Sequence, residues 1–83
     1  MNFDKLIESA KTNLIEIQYK SFYTEGKEHN QIYTLMPDIT GYNNFNQNTG
    51  NDFYVFYNCK TGDWDGIKSS MILDWNIHIP TND

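Results

Sequence analysis

The sequence predicts an α+β protein that is mainly β. One short N-terminal helix is followed by five short antiparallel strands, bent into a small sheet or partly open barrel with the helix packed on one end. Three observations predict it. A 3.6-residue apolar period occurs once, at the N-terminus. From Ile15 onward the period falls to two. Turn-forming residues then break the chain at short intervals.

The helix is predicted over residues 3–12. Phe3, Leu6, Ile7 and Ala10 lie on one face, Asn2 is placed to cap the N-terminus, and Asp4 suits the positive end of the helix dipole. Ile15, Ile17 and Tyr19 then alternate with Glu16, Gln18 and Lys20, the pattern of a half-buried strand. A turn at Thr24–Lys27 leads to a second strand over Gln31–Met36, which Pro37 should end because proline donates nothing to a ladder. Residues 38–52 read as a long polar loop carrying Tyr42 and Phe45. Phe53–Asn58 is apolar or aromatic on both faces and is expected to be a central strand covered on both sides. Lys60-Thr61-Gly62-Asp63 is a hairpin turn returning the chain along Trp64–Lys68. Ser69-Ser70 breaks that strand. Leu73, Trp75, Ile77 and Ile79 alternate with Asp74, Asn76 and His78 and form the last strand.

The 83 residues suffice for one domain, read as 1–79 with 80–83 as a tail, and for a modest core in which aromatics, 16% of the chain, must carry much of the burial. Net charge is −5, and all six basic residues are lysines. Arginine is the usual bidentate reader of phosphate and of guanine edges, so its absence from an acidic chain argues against nucleic-acid binding. The single cysteine, Cys59, excludes an internal disulfide. Met1-Asn2-Phe3-Asp4-Lys5 lacks the basic start and apolar run of a signal peptide, and no stretch approaches a membrane span in length. A soluble, cytoplasmic protein is expected.

The segments LIEIQYKSFYTEGKE, IYTLMPDITGY and DFYVFYNCKTGDWDGIKSSMILDWNI, behind a short helix, together resemble the WYL domain over about Phe3 to Ile77. WYL domains are SH3-like barrels found in bacterial transcriptional regulators and in some defence-associated proteins, so the resemblance implies an SH3-like bent sheet and a regulatory, ligand-binding role. The family's Trp-Tyr-Leu signature would fall on Phe53, Tyr54 and Val55. Its ligand-associated arginines would fall on Lys68 and Met71. The helix-turn-helix that usually accompanies the domain has no counterpart in these residues.

No catalytic or metal-binding constellation stands out, and no cofactor is expected. His29 and His78 are far apart in sequence and read as solvated surface histidines. Cys59 ends an aromatic strand, where cysteine usually behaves as a small buried hydrophobe. Asp63 and Asp65 flank Trp64 in and beside a turn, and turn chemistry accounts for both, with the carboxylates directed away from the tryptophan. The aromatic surplus is the more informative feature. Tyr54 and Phe56 share one face of their strand, Phe53, Val55 and Tyr57 the other, and one of these faces should be exposed. The candidate binding surface is Tyr33, Tyr42, Phe45, Tyr54, Phe56 and Lys68.

The sequence is thus read as a non-enzymatic binding or regulatory module that takes a protein partner or a small nucleotide-like ligand on an aromatic sheet face. The alternative is a stand-alone acidic inhibitor of the phage anti-defence, anti-CRISPR or immunity type, blocking a basic surface of a bacterial target or sequestering a signalling ligand. A partly open barrel also leaves sheet edges through which a homodimer could form.

Overall fold

The computed structural model describes residues 2–20, 27–43, 47 and 52–79. Helix α1 (Phe3–Ala10) precedes strands β1 (Leu14–Lys20) and β2 (Glu28–Thr34). A one-turn helix α2 (Pro37–Thr40) is followed by β3 (Phe53–Asn58), β4 (Trp64–Lys68), a 3-10 turn (Ser69–Met71) and β5 (Ile72–His78). The five strands form one open antiparallel sheet in the order β4-β3-β2-β1-β5. The fold is α+β and mainly β, as the periodicities predict.

Asn2 caps α1, its Oδ1 accepting from the Lys5 N–H at 3.1 Å. The helix stops at Ala10 rather than at residue 12, because the sheet takes its last carbonyls. The Leu35 N–H donates to Ala10 O at 2.9 Å, and the Thr34 hydroxyl lies 3.3 Å from the same oxygen. The Asn13 amide donates to Ser9 O at 3.1 Å. These bonds fix the helix to one end of the sheet, where Leu6 and Ala10 join Ile15, Ile17, Tyr33, Leu35, Phe56, Ile67 and Ile72 in the core. Each large side chain among them contributes roughly 1.5–3 kcal/mol by leaving water.

Strand β2 begins three residues earlier than the hydrophobicity suggests, because its polar half pairs with the end of β1, Tyr19 opposite His29 and Lys20 opposite Glu28. It ends earlier too. The Thr34 hydroxyl accepts from the Met36 N–H at 3.0 Å and turns the chain. Pro37 does stop the strand, and in the same place it opens α2, since its fixed φ suits the first helical turn. Gly41 closes that turn at φ +78°. The Thr24–Gly26 part of the expected first turn lies outside the described residues.

Strand β3 has no exposed residue on either face, but its two edges are paired unequally. It forms a full ladder with β4 but meets β2 only at Tyr33↔Asn58 and Thr34↔Tyr57. Beyond that contact the Gln47 side chain serves as a substitute strand, accepting from the Val55 N–H at 2.8 Å and donating to Val55 O at 2.6 Å. The hairpin after β3 closes on Gly62 at φ +75°, as its sequence predicts.

Strand β5 sets Trp75 and Ile77 on the core face, opposite Ile17 and Ile15, but its register is broken near its start. The β1–β5 register shifts between Gln18 and Tyr19, which sets Ile72 opposite Tyr19 and sends Ile72 into the core. Leu73, Ile77 and Ile79 are left 40%, 48% and 77% exposed on an edge strand. No helix among the described residues is long and apolar enough to cross a membrane.

Candidate functional site

Five side chains from four strands close a ring of hydrogen bonds beneath the surface. The Tyr33 hydroxyl donates to Asp65 Oδ2 at 2.9 Å and therefore accepts from the Tyr19 hydroxyl, also at 2.9 Å. Gln31 donates its amide to the Tyr19 oxygen at 3.3 Å and accepts from the Asn58 amide. Asn58 completes the ring by donating to Asp65 Oδ2 at 3.0 Å. The Asn58 carbonyl oxygen takes the Lys60 and Thr61 N–H groups at 2.9 and 3.2 Å, which ties the hairpin turn to the ring. Tyr33 and Asn58 are buried, and among the described residues no buried side-chain polar atom lacks a partner. Burial and the bonds to Tyr19 and Asp65 hold the Tyr33 pKa far above the ordinary tyrosine range.

Tyr19 and Asp65 carry this ring to the wall of a cleft of about 550 Å³. His29 stacks on Tyr19 with centroids 5.4 Å apart, and both line the cleft with Phe53, Trp64 and Ile67. Lys20 and Lys68 line it too, bringing two of the chain's six lysines to one concavity. Tyr42 and Tyr57 brace Trp64 edge-on at 5.8 and 5.5 Å. The arrangement offers flat rings for stacking, cations for an anionic group and one carboxylate for an N–H donor.

The residues expected to form a binding surface divide. Lys68 lines the cleft, and Tyr42 is exposed and supports the Trp64 ring. Tyr54 does not line the cleft: it is half-buried at the helix end, its ring stacked on Phe3 at 5.3 Å. Tyr33 and Phe56 are fully buried and form no surface: the β2 register directs Tyr33 inward opposite Ile15, and Phe56 packs against it with ring centroids 6.1 Å apart. Phe45 lies outside the described residues.

Sequence reasoning missed the contributions of Tyr19, Lys20, His29, Phe53, Trp64 and Asp65 to one cleft. His29 is a stacked, half-buried residue rather than a solvated one. Asp65 is not explained by turn chemistry, since its carboxylate is held inward by Tyr33 and Asn58. Cys59 is exposed rather than buried: it opens the turn after β3, with its N–H still donating to Ile32 O at 3.1 Å. Even so, partial desolvation raises its thiol pKa, which keeps it protonated at neutral pH. Among the described residues no three His, Cys, Asp or Glu side chains converge to hold a metal ion.

In comparisons with known proteins the chain matches no family model, no curated protein and no solved structure.

Proposed function

We propose that the protein is a non-enzymatic binding module whose cleft takes a small, flat, anionic ligand of nucleotide-like chemistry. One observation carries this reading: in a chain of net charge −5, Lys20 and Lys68 meet Phe53, Trp64 and the Tyr19–His29 stack around a single cleft. Rings supply stacking surface and lysines supply point charges for a phosphate or carboxylate. Asp65 and the protonated Cys59 thiol favour binding over catalysis, because the first is engaged by two donors and the second is a weak nucleophile. The WYL-like sequence pattern, which puts Lys68 at a ligand-associated position, supports the same reading.

The test is a thermal-shift and NMR titration with nucleosides, nucleoside monophosphates and inorganic phosphate. Monophosphates should stabilise the protein and perturb the Trp64 indole and Lys68 neighbours, more than either fragment does alone. A panel in which no compound perturbs the cleft resonances refutes the reading.

A second reading, an acidic inhibitor of a basic partner, is favoured by the opposite face of β5-β1-β2. There the register aligns Glu16, Glu28 and Asp74 with Gln18, Asn30 and Asn76, with Lys20, opposite Glu28, as the one cation of that register. Partner capture that weakens steeply with salt and is lost on Glu16→Lys would support it over the ligand-binding reading.

A further inference from the structure

The outer edge of β5 has no strand partner among the described residues, and the ladder fixes which of its groups face outward. In an antiparallel sheet each residue directs its N–H and C=O to one neighbour, and successive residues alternate. The Cys59 N–H donates to Ile32 O at 3.1 Å, so Ile32 faces β3. Gln31 and Tyr33 then face β1, and their partners Ile17 and Ile15 face β2. Trp75 and Ile77, opposite Ile17 and Ile15 on the other side, therefore direct their backbone groups away from β1. An independent contact agrees: the Trp75 N–H donates to the side chain of its own neighbour, Asp74 Oδ1, at 2.8 Å.

We propose that this edge pairs with the same edge of a second copy of the chain, antiparallel about a two-fold axis at Trp75. The strand Ile72–His78 is its own complement in that register. Trp75 meets Trp75 of the second copy, and Leu73 meets Ile77, so exposed apolar side chains cover one another. Asp74 meets Asn76, never a second carboxylate. These two occupy non-hydrogen-bonded sites of the new ladder, where side chains lie closest, and the Asn76 amide donates to the Asp74 carboxylate. The Trp75 N–H passes from Asp74 to the facing Trp75 carbonyl. A row of outward main-chain groups flanked by Leu73 and Ile77 suits a like strand better than a charged partner. No β5 residue lines the cleft, so the pairing stands or falls apart from ligand binding.

The test is sedimentation velocity on the full chain over a range of protein and sodium chloride concentrations. The mass should rise from 9.8 kDa towards twice that value with concentration. Association should tighten as salt increases, because two chains of charge −5 repel when unscreened. Asn76→Asp, which sets one carboxylate against the facing Asp74 at each of the two symmetric sites, should weaken the dimer about fivefold or more. The double variant Asp74→Asn/Asn76→Asp should restore it, and Ile77→Lys should abolish it. The double variant keeps the carboxylate opposite Glu16 that Asn76→Asp creates within each chain, so restoration separates the dimer contact from any loss of monomer stability. A chain monomeric under all conditions overturns the proposal. So does a dimer indifferent to Asn76→Asp and Ile77→Lys, or one that the double variant fails to restore.

Discussion

The Tyr33 hydroxyl lies 2.9 Å from Asp65 Oδ2, and 32 residues of chain separate them. This bond joins β2 to β4, two strands that share no ladder, and its other end is held by Tyr19 and Asn58. It sets an inward-facing carboxylate beside a phenol that burial keeps protonated.

Tyr33→Phe should therefore cost about 1–3 kcal/mol, since it leaves the Tyr19 hydroxyl without its acceptor and removes a donor from Asp65. Urea denaturation should report a lower midpoint with an unchanged slope. The variant should also lose an alkaline transition. The folded-state pKa of Tyr33 is raised above its unfolded value of about 10, so its stabilisation is complete below that pH and is lost as pH rises. Above about pH 10 the wild type should lose ~1.4 kcal/mol per pH unit relative to Tyr33→Phe. Parallel pH dependence of the two proteins would refute the buried, protonated phenol.

At the cleft, Lys20→Met and Lys68→Met should each weaken a bound nucleoside monophosphate about tenfold and leave the neutral nucleoside nearly unaffected. Trp64→Leu should weaken both ligands. Calorimetric titration separates the patterns, and equal losses for charged and neutral ligands would remove the lysines from the site.

Gln47 stands in for a strand at the β3 edge. Gln47→Leu leaves the Val55 N–H and C=O without their side-chain partner, and the Val55 amide should exchange with solvent about tenfold faster. Unchanged exchange at Val55 would mean that another group protects it.

Gly62 sits at φ +75°, with 3.6 Å of room between an added Cβ and the Tyr57 hydroxyl. The cost of Gly62→Ala is therefore conformational rather than steric, and should be about 1 kcal/mol, with Gly62→Asn intermediate. Thermal melts of the three proteins check the order.

The order of elements was legible because each has its own period: Leu6 and Ala10 at helical spacing, Ile15 and Ile17 at strand spacing, Gly62 in its turn. Register was not. The alternation in Phe53–Asn58 is equally apolar on both faces, so only pairing with β4 and packing under α1 select Phe56 for the core. The same holds for β5, where a register shift opposite Tyr19 brings Ile72 onto the core face beside Trp75, a break in the alternation that the sequence does not announce. The cleft was illegible for a related reason. Tyr19, Phe53 and Lys68 come from three strands, and only the folded sheet assembles them. Asp65 looked like a turn residue because its partners, Tyr33 and Asn58, are distant or unremarkable in sequence.

Strands β2 and β3 touch at two residue pairs. In mechanical terms the molecule is two plates, the meander β5-β1-β2 and the hairpin β3-β4, joined at a narrow waist. So few ladder bonds resist separation there that the hydrogen-bonded ring around Asp65, together with the core packing of Phe56 and Ile67 on Tyr33 and its neighbours, must latch the plates. Native-state exchange should resolve two cooperative units on either side of that waist. A ligand that bridges Tyr19 on one plate and Trp64 on the other would merge them into one.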